Sequence, residues 1–198
     1  MPVVTEAKTL LEAIESAKNQ LHTEKIFYIK EEIKGKLFKS GSFKVTAISY
    51  PEVLEEAKSF LKTIIEGLGL EVQFETSIKE EIFEITMFSD NNAILIGKNG
   101  QTLKSLENLV RAKLNNDWNV QIKIILDVEN YKEKRIESLE KLAVRTAKEV
   151  RATKIDVALE NMNSYERRII HNKLSNFKGV STSSEGEEPN RHVVIKAE

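Results

Sequence analysis

The stretch ILIGKNGQTL, Ile94–Leu103, carries Gly97 and Gly100 with Lys98 and Asn99 between them and apolar residues on either side. Such a loop lets the backbone come close to something, either a nucleic-acid backbone or the next turn of the protein. The glycine pair alone does not decide: at a glycine usage of roughly 7 per cent, one Gly-x-x-Gly arises by chance about once in a chain of this length. The neighbours are more informative. Ala93–Ile96 reads as a short apolar turn of helix, and Leu103, Leu106, Leu109, Val110 and Leu114 give a following helix one apolar face. The loop therefore opens a helix. The backbone N–H groups of Asn99, Gly100, Gln101 and Thr102 are expected to lack intrahelical partners there and to face anionic oxygens at the positive end of the helix dipole. Missing side chains at Gly97 and Gly100 admit a sugar–phosphate chain, Lys98 adds a cation and Asn99 a hydrogen-bonding amide. The spacing is that of neither a mononucleotide P-loop nor a dinucleotide-binding Gly-x-Gly-x-x-Gly.

Working outward, Val53, Ala57, Phe60, Leu61, Ile64 and Ile65 predict an amphipathic helix that Gly67 and Gly69 end. EVQFETSI and EIFEITMF alternate about Lys79 and Glu80, predicting an antiparallel pair of strands, and NVQIKIILDV predicts another strand after the loop. From Pro51 to Val128 the order is α-β-β-α-loop-α-β. Before Pro51, Leu10, Leu11, Ile14, Ala17 and Leu21 predict a helix over 7–22. Phe27–Ile29 and Phe43–Ile48 then read as short β runs around a lysine-rich turn in KIFYIKEEIKGKLFKSGSFKVTAI. This small α/β unit, 1–50, is too short to bury much by itself, and a boundary is expected at Ser49–Pro51.

After Val128, a long charged helix over 129–153 buries Ile136, Leu139, Leu142, Ala143, Thr146, Ala147 and Val150. KIDVAL reads as a strand, Asn163 or Ser164 as the cap of a helix through Phe177, and VSTSS and RHVVIKA as final strands across the turn EGEEPN. The fold class is α+β in three small domains, 1–50, 51–128 and 129–198.

The totals remove several functions. With no cysteine, disulfides, thiolate metal sites and cysteine nucleophiles are absent, which fits a reducing compartment. His22, His171 and His192 form no ligand cluster in the sequence, so no metal or cofactor is implied. No apolar run is long enough to span a membrane, and the N-terminus lacks the basic-then-apolar order of a secretory signal, so neither membrane insertion nor export is expected. The net charge is −1, distributed as +2 over 1–50, −5 over 51–128 and +2 over 129–198. The glycine loop thus lies in the acidic segment, and any phosphate contact must come from local geometry rather than a broad positive field.

A second informative stretch is SYERRIIHNKL, Ser164–Leu174. Arg167 and His171, four apart, share one helix face bordering the core made by Ile169, Ile170, Leu174 and Phe177, while Arg168 points to solvent. A packed histidine beside a solvated arginine is the plain reading. The functional one is that guanidinium pairs with phosphate or stacks on bases, and imidazole stacks or donates. No triad or carboxylate motif accompanies His171, so a general base is a poor reading and no enzymatic activity is expected.

The order α-β-β-α-Gly-x-x-Gly-α-β with IGKNGQTL resembles a type II KH domain over 51–128. ERRIIH followed by SEGEEPNRHVVI resembles the Arg-x-x-x-His domain that binds single-stranded nucleic acid, in the form seen in bacterial Jag, or SpoIIIJ-associated, proteins. The N-terminal domain of that family is matched more loosely by IKGKLFKSGSFKVTAI. The resemblance implies a cytoplasmic RNA-binding protein, an RNA chaperone or post-transcriptional regulator with links to cell shape and sporulation. It also implies partnership with a small single-KH-domain protein or self-association. By motif it makes Gly97, Lys98, Asn99 and Gly100 the backbone contacts of single-stranded RNA, with Gln101 and Lys104 beside them. Arg167 and His171 become the signature pair, with Arg168 and Arg191 as further phosphate contacts. Single-stranded DNA stays open as a ligand. The alternative is a protein-interaction scaffold whose KH loop does not bind nucleic acid.

Overall fold

The computed structural model of the chain describes residues 1–34, 41–119 and 121–198. The lysine-rich turn expected between the first β runs falls largely on 35–40, outside the described residues. Two compact units emerge, Met1–Glu129 and Asn130–Glu198.

In the first unit, β1 (Val3–Ala7), α1 (Leu10–Leu21), β2 (Ile26–Ile33) and β3 (Ser42–Ser49) come before the expected KH order. The strands form an antiparallel sheet in the order β1-β3-β2. Strand β1 was not expected, because its residues were absorbed into the helical pattern that follows. Thr9 separates the two: its hydroxyl accepts the Glu12 N–H and the Glu12 carboxylate accepts the Thr9 N–H, a capping box that starts the helix two residues after the strand. Ala13 and Ala17 of α1 bury against Val45 and Ala47 of β3. His22 ends α1 in the left-handed conformation, φ 51°, a structural role.

Strand β3 runs directly into α2 (Tyr50–Gly67), with Ser49 donating its N–H to Glu52 at 3.1 Å. Next come β4 (Val72–Lys79), β5 (Ile82–Ser89), α3 (Asn92–Ile96), a single 3₁₀ turn at Lys98–Gly100, α4 (Gln101–Trp118) and β6 (Lys123–Val128). This is the order expected over 51–128. Strands β4 and β5 pair antiparallel through a two-residue turn at Glu80 and Glu81, both at positive φ, one residue later than the expected turn. Strand β6 adds parallel to β5. Leu109, expected on the buried face of α4, is exposed, while Leu103, Leu106, Val110 and Leu114 are buried as expected.

The two sheets of this unit share a seam. Phe27 of β2 stacks on Tyr50 at 4.7 Å, and Tyr50 lies 5.2 Å from Phe83 of β5. Burial raises the Tyr50 hydroxyl above its ordinary pKa, with Glu81 adding to the effect, so the phenol stays neutral. Residues 1–50, too small for a large core alone, thus complete theirs on the wall of the next segment.

In the second unit, α5 (Tyr131–Thr153), β7 (Val157–Ala158), α6 (Ser164–Leu174), β8 (Val180–Glu185) and β9 (His192–Ala197) build an antiparallel sheet, β7-β9-β8. Leu139, Ala143, Ala147 and Val150 of α5 pack with Ile170 and Leu174 of α6 and with Val180, Val193 and Ile195 of the sheet. The KIDVAL strand is only two residues long. Helix α6 ends at Leu174 rather than running through Phe177, whose ring instead takes the Arg151 guanidinium at 5.2 Å.

Phe27→Ala is expected to lower the stability of the whole first unit by at least about 1 kcal/mol from lost aromatic pairing alone. Urea unfolding followed by fluorescence of Trp118, the single tryptophan, checks this. An independently folding N-terminal segment would leave the Trp118 transition where it was.

Candidate nucleic-acid interface

The loop at the start of α4 is built by backbone conformations that few residues adopt. Gly97 has φ 69° and ψ −178°, a region essentially confined to glycine. Asn99 (φ 52°, ψ 32°) and Gly100 (φ 76°, ψ 14°) are left-handed, where asparagine and glycine are tolerated best. A Cβ on Gly97 would lie 2.1 Å from Thr102 Oγ1 and 2.8 Å from Thr102 Cβ. The sequence assigned the bare Gly97 to an incoming sugar–phosphate chain. In the structure its first requirement is internal, because the next helix begins against it.

The supply of amides is smaller than expected. Gly100 N–H donates to Gly97 O at 3.3 Å, and Gln101 N–H donates to Lys98 O. Two of the four amides assigned to a ligand therefore close the turn itself, since a 3₁₀ turn intervenes before α4. What the loop presents outward is side chain. Lys98 is exposed and in no ion pair among the described residues, and Gln101 is exposed beside it. Lys104 is exposed too, but its ammonium pairs at 3.0 Å with Glu107, which is 5 % exposed and also holds Arg111 at 3.0 Å and the Leu126 N–H at 3.3 Å. An anion reaching Lys104 must compete with that carboxylate. Ile94, one turn before the loop, is exposed, an apolar surface not picked out from the sequence.

On α6 the signature pair turns inward. Arg167, expected at the border of the core and open to ligand, is 7 % exposed. Its Nη1 donates to Met162 O at 2.7 Å and to Glu188 at 3.0 Å. His171 lies between two hydroxyls of β8, Nδ1 at 2.7 Å from Thr182 Oγ1 and Nε2 at 2.8 Å from Ser184 Oγ. A neutral ring satisfies both, one hydroxyl accepting and the other donating. Burial first, and the Arg167 charge second, lower the His171 pKa below its ordinary value, favouring that neutral form. The spacing brings the two residues to one face as expected, and that face is spent on joining α6 to β8 and to the turn after it.

Other residues reach solvent in this unit. Arg168 and Arg191 are exposed and in no ion pair among the described residues, while the Arg191 carbonyl accepts the Met162 N–H at 3.1 Å. Tyr165, 61 % exposed, precedes Arg168 by three, and exposed Asn172 follows it by four, so the three form one stripe. Sequence reasoning passed over Tyr165 and Asn172. Their signal was an aromatic and an amide on the side opposite Ile170 and Leu174.

Residues 58–133 match the KH domain family, and residues 137–197 match the domain family named for its Arg-x-x-x-His motif. Over 98% of this chain and 90% of the relative's length, the sequence is 39% identical to the RNA-binding protein KhpB of Clostridium symbiosum. The chain belongs to the KhpB (Jag) family. It is also 40% identical to KhpB of Bacillus subtilis (strain 168) over 72% of this chain and 69% of that protein. With KhpB of Lactiplantibacillus plantarum it shares 34% identity over 69% of this chain, but only 42% of that longer relative.

Two outcomes test the geometry. Gly97→Ala should destabilise the first unit by about 1–3 kcal/mol from backbone strain alone. Adding Thr102→Ala should recover only part of this, because the Thr102 Cβ is itself too close; thermal melts of both variants check it. For His171 the folded pKa lies below the ordinary value near 6.5. Its contribution to stability is therefore complete above that value and is lost as pH falls through the folded pKa. Melting temperature measured against pH should fall on acidification below about pH 6.5, and His171→Gln should flatten that fall.

Proposed function

We propose that this protein binds single-stranded RNA and acts as an RNA chaperone or post-transcriptional regulator, without chemistry of its own. The observation that carries the reading is the loop at Gly97–Gly100, a glycine-only reversal that starts a helix and holds Lys98 outward, in no ion pair among the described residues. KH domains clamp about four nucleotides of a single strand against such a loop. Gly97, Lys98, Asn99, Gly100 and Gln101 are the contacts in the first unit, with Lys104 available only in competition with Glu107.

In the second unit we assign the contacts to the exposed stripe. Tyr165 stacks on a base, Arg168 and Arg191 meet phosphates, and Asn172 reads a base edge. Arg167 and His171 act by position: they hold the helix that carries the stripe. The functional division we propose is 51–128 as the KH module and 129–198 as the second RNA-binding module, with 1–50 packed onto the first. Two weak modules in one chain gain affinity through effective concentration when one strand engages both. The cytoplasm is the proposed location, and a small single-KH-domain protein or a second copy the proposed partner.

The scaffold alternative is not favoured: relatives aligned along nearly the whole chain are named for RNA binding, and both matched families carry the corresponding motifs. Hydrolysis by His171 has little support, because both ring nitrogens are engaged by hydroxyls rather than by an orienting acid.

Lys98→Asp with Asn99→Asp should weaken binding of a labelled oligouridylate RNA about tenfold or more, equivalent to about 1.4 kcal/mol. It should also reduce the slope of log affinity against log salt by about 1. Filter binding across a salt series checks both, and an unchanged affinity would remove the loop from the site.

A further inference from the structure

Helices α5 and α6 of the second unit leave a groove between them on the surface away from the His171–β8 contact. Its α5 wall carries Lys141, Arg145 and Lys148, at i, i+4 and i+7 along one face. At 1.5 Å per residue they span about 10 Å of helix axis. Lys173 of α6 stands on the opposite wall, and half-buried Val144 contributes apolar surface to the lining.

The pairing of these charges is uneven. Lys173 is held by Glu140 at 2.6 Å, and Lys141 by Glu137 at 3.2 Å. Arg145 and Lys148 are in no ion pair among the described residues, although Glu149 is one turn from Arg145. Four cations therefore face two lining carboxylates, and the unpaired cations are neighbours on one turn. Like charges so placed repel, which disfavours the helix unless an anion is drawn between them. Two other grooves show the opposite balance: Lys62 with Glu66, Glu71 and Asp90 in one, and Lys113 with Glu52, Glu55 and Glu56 in another.

The geometry points to a polyanion site: the α5–α6 groove holds the sugar–phosphate backbone of single-stranded RNA, Arg145 and Lys148 meeting successive phosphates and the Val144 surface lying under a ribose. This rests on the RNA-binding reading and adds a contact track separate from the Gly97–Gly100 loop and from the Tyr165–Arg168–Asn172 stripe. Arg145 supplies the planar fork suited to phosphate, and Lys148 a mobile point charge. Such contacts are independent of base sequence.

The test is filter binding of a labelled oligouridylate RNA to the full chain across a salt series. It compares Arg145→Glu with Lys148→Glu, the milder Arg145→Gln with Lys148→Gln, and a control of equal charge change in the first unit, Lys8→Glu with Lys30→Glu. The groove variants should bind about tenfold or more weakly at low salt and lower the salt slope by about 2, with unchanged melting temperature, while the control stays close to the unaltered chain. Full affinity in the groove variants overturns the proposal and leaves the RNA-binding reading standing. Equal loss in the control also overturns it, since net charge would then explain the effect. Groove variants that keep RNA but lose binding to polyglutamate would assign the groove to an acidic protein instead. If the unaltered chain binds no RNA, both the RNA-binding reading and this proposal fall.

Discussion

The candidate interface of the first unit depends on one constraint, the closeness of Thr102 to the bare Cα of Gly97. A side chain at residue 97 would occupy the space in which α4 begins. Because Gly97 can adopt φ 69° and ψ −178°, α3 stops at Ile96 and the chain reverses within one 3₁₀ turn. Lys98 is then held out at the head of an 18-residue helix whose inner face is anchored by Leu103, Leu106, Val110 and Leu114. The loop has this shape whether or not a ligand is present, since its own hydrogen bonds, Gly97 to Ala93 and Gly100 to Gly97, close it from within. A preformed loop loses little conformational freedom on binding, which matters where few charges contribute.

The second unit solves a related problem by different means. Arg167 and His171 look like ligand-binding residues by type, yet each is satisfied by the protein. A buried guanidinium must be paired, and Met162 O and Glu188 pair it. A partly buried imidazole with two hydroxyl partners is best left neutral, and the nearby guanidinium reinforces that. The pair works as a joint between α6 and β8, so the direction in which Tyr165, Arg168 and Asn172 face follows from contacts made on the far side of the same helix.

Much of this was legible in the sequence. The order of elements from Pro51 to Val128 was readable because each has a strong period and glycines mark its ends. The motif spacing likewise placed Arg167 and His171 on one face. Strand β1 was missed because five residues ahead of a helix carry too little period of their own, and its identity comes from pairing with β3, some forty residues away. Leu109 and Ile94 were exposed against their type, because hydrophobicity does not reveal on which side of a helix the core lies. The inward turn of Arg167 depends on Glu188, which returns from a turn twenty-one residues on. The sequence offers no local signal for that.

Net charge was the least informative reading, and the reason is physical. At physiological ionic strength charges are screened beyond about 8 Å, so a phosphate responds to the cations beside it and not to a segment total. What counts is whether a cation is already neutralised. Within the acidic segment Glu107 holds Lys104 and Arg111, and Glu84 holds Lys79 and is itself kept below the ordinary carboxylate range by Lys79 and Ser77. These acids and bases largely cancel in place. Lys98 stands outside such pairs, as do Arg168 and Arg191 in the second unit among the described residues. A chain with net charge −1 can therefore present discrete positive points to a polyanion, provided the acids are occupied elsewhere. It is the pairing, visible only in three dimensions, that separates a cation available to RNA from one that stabilises the fold.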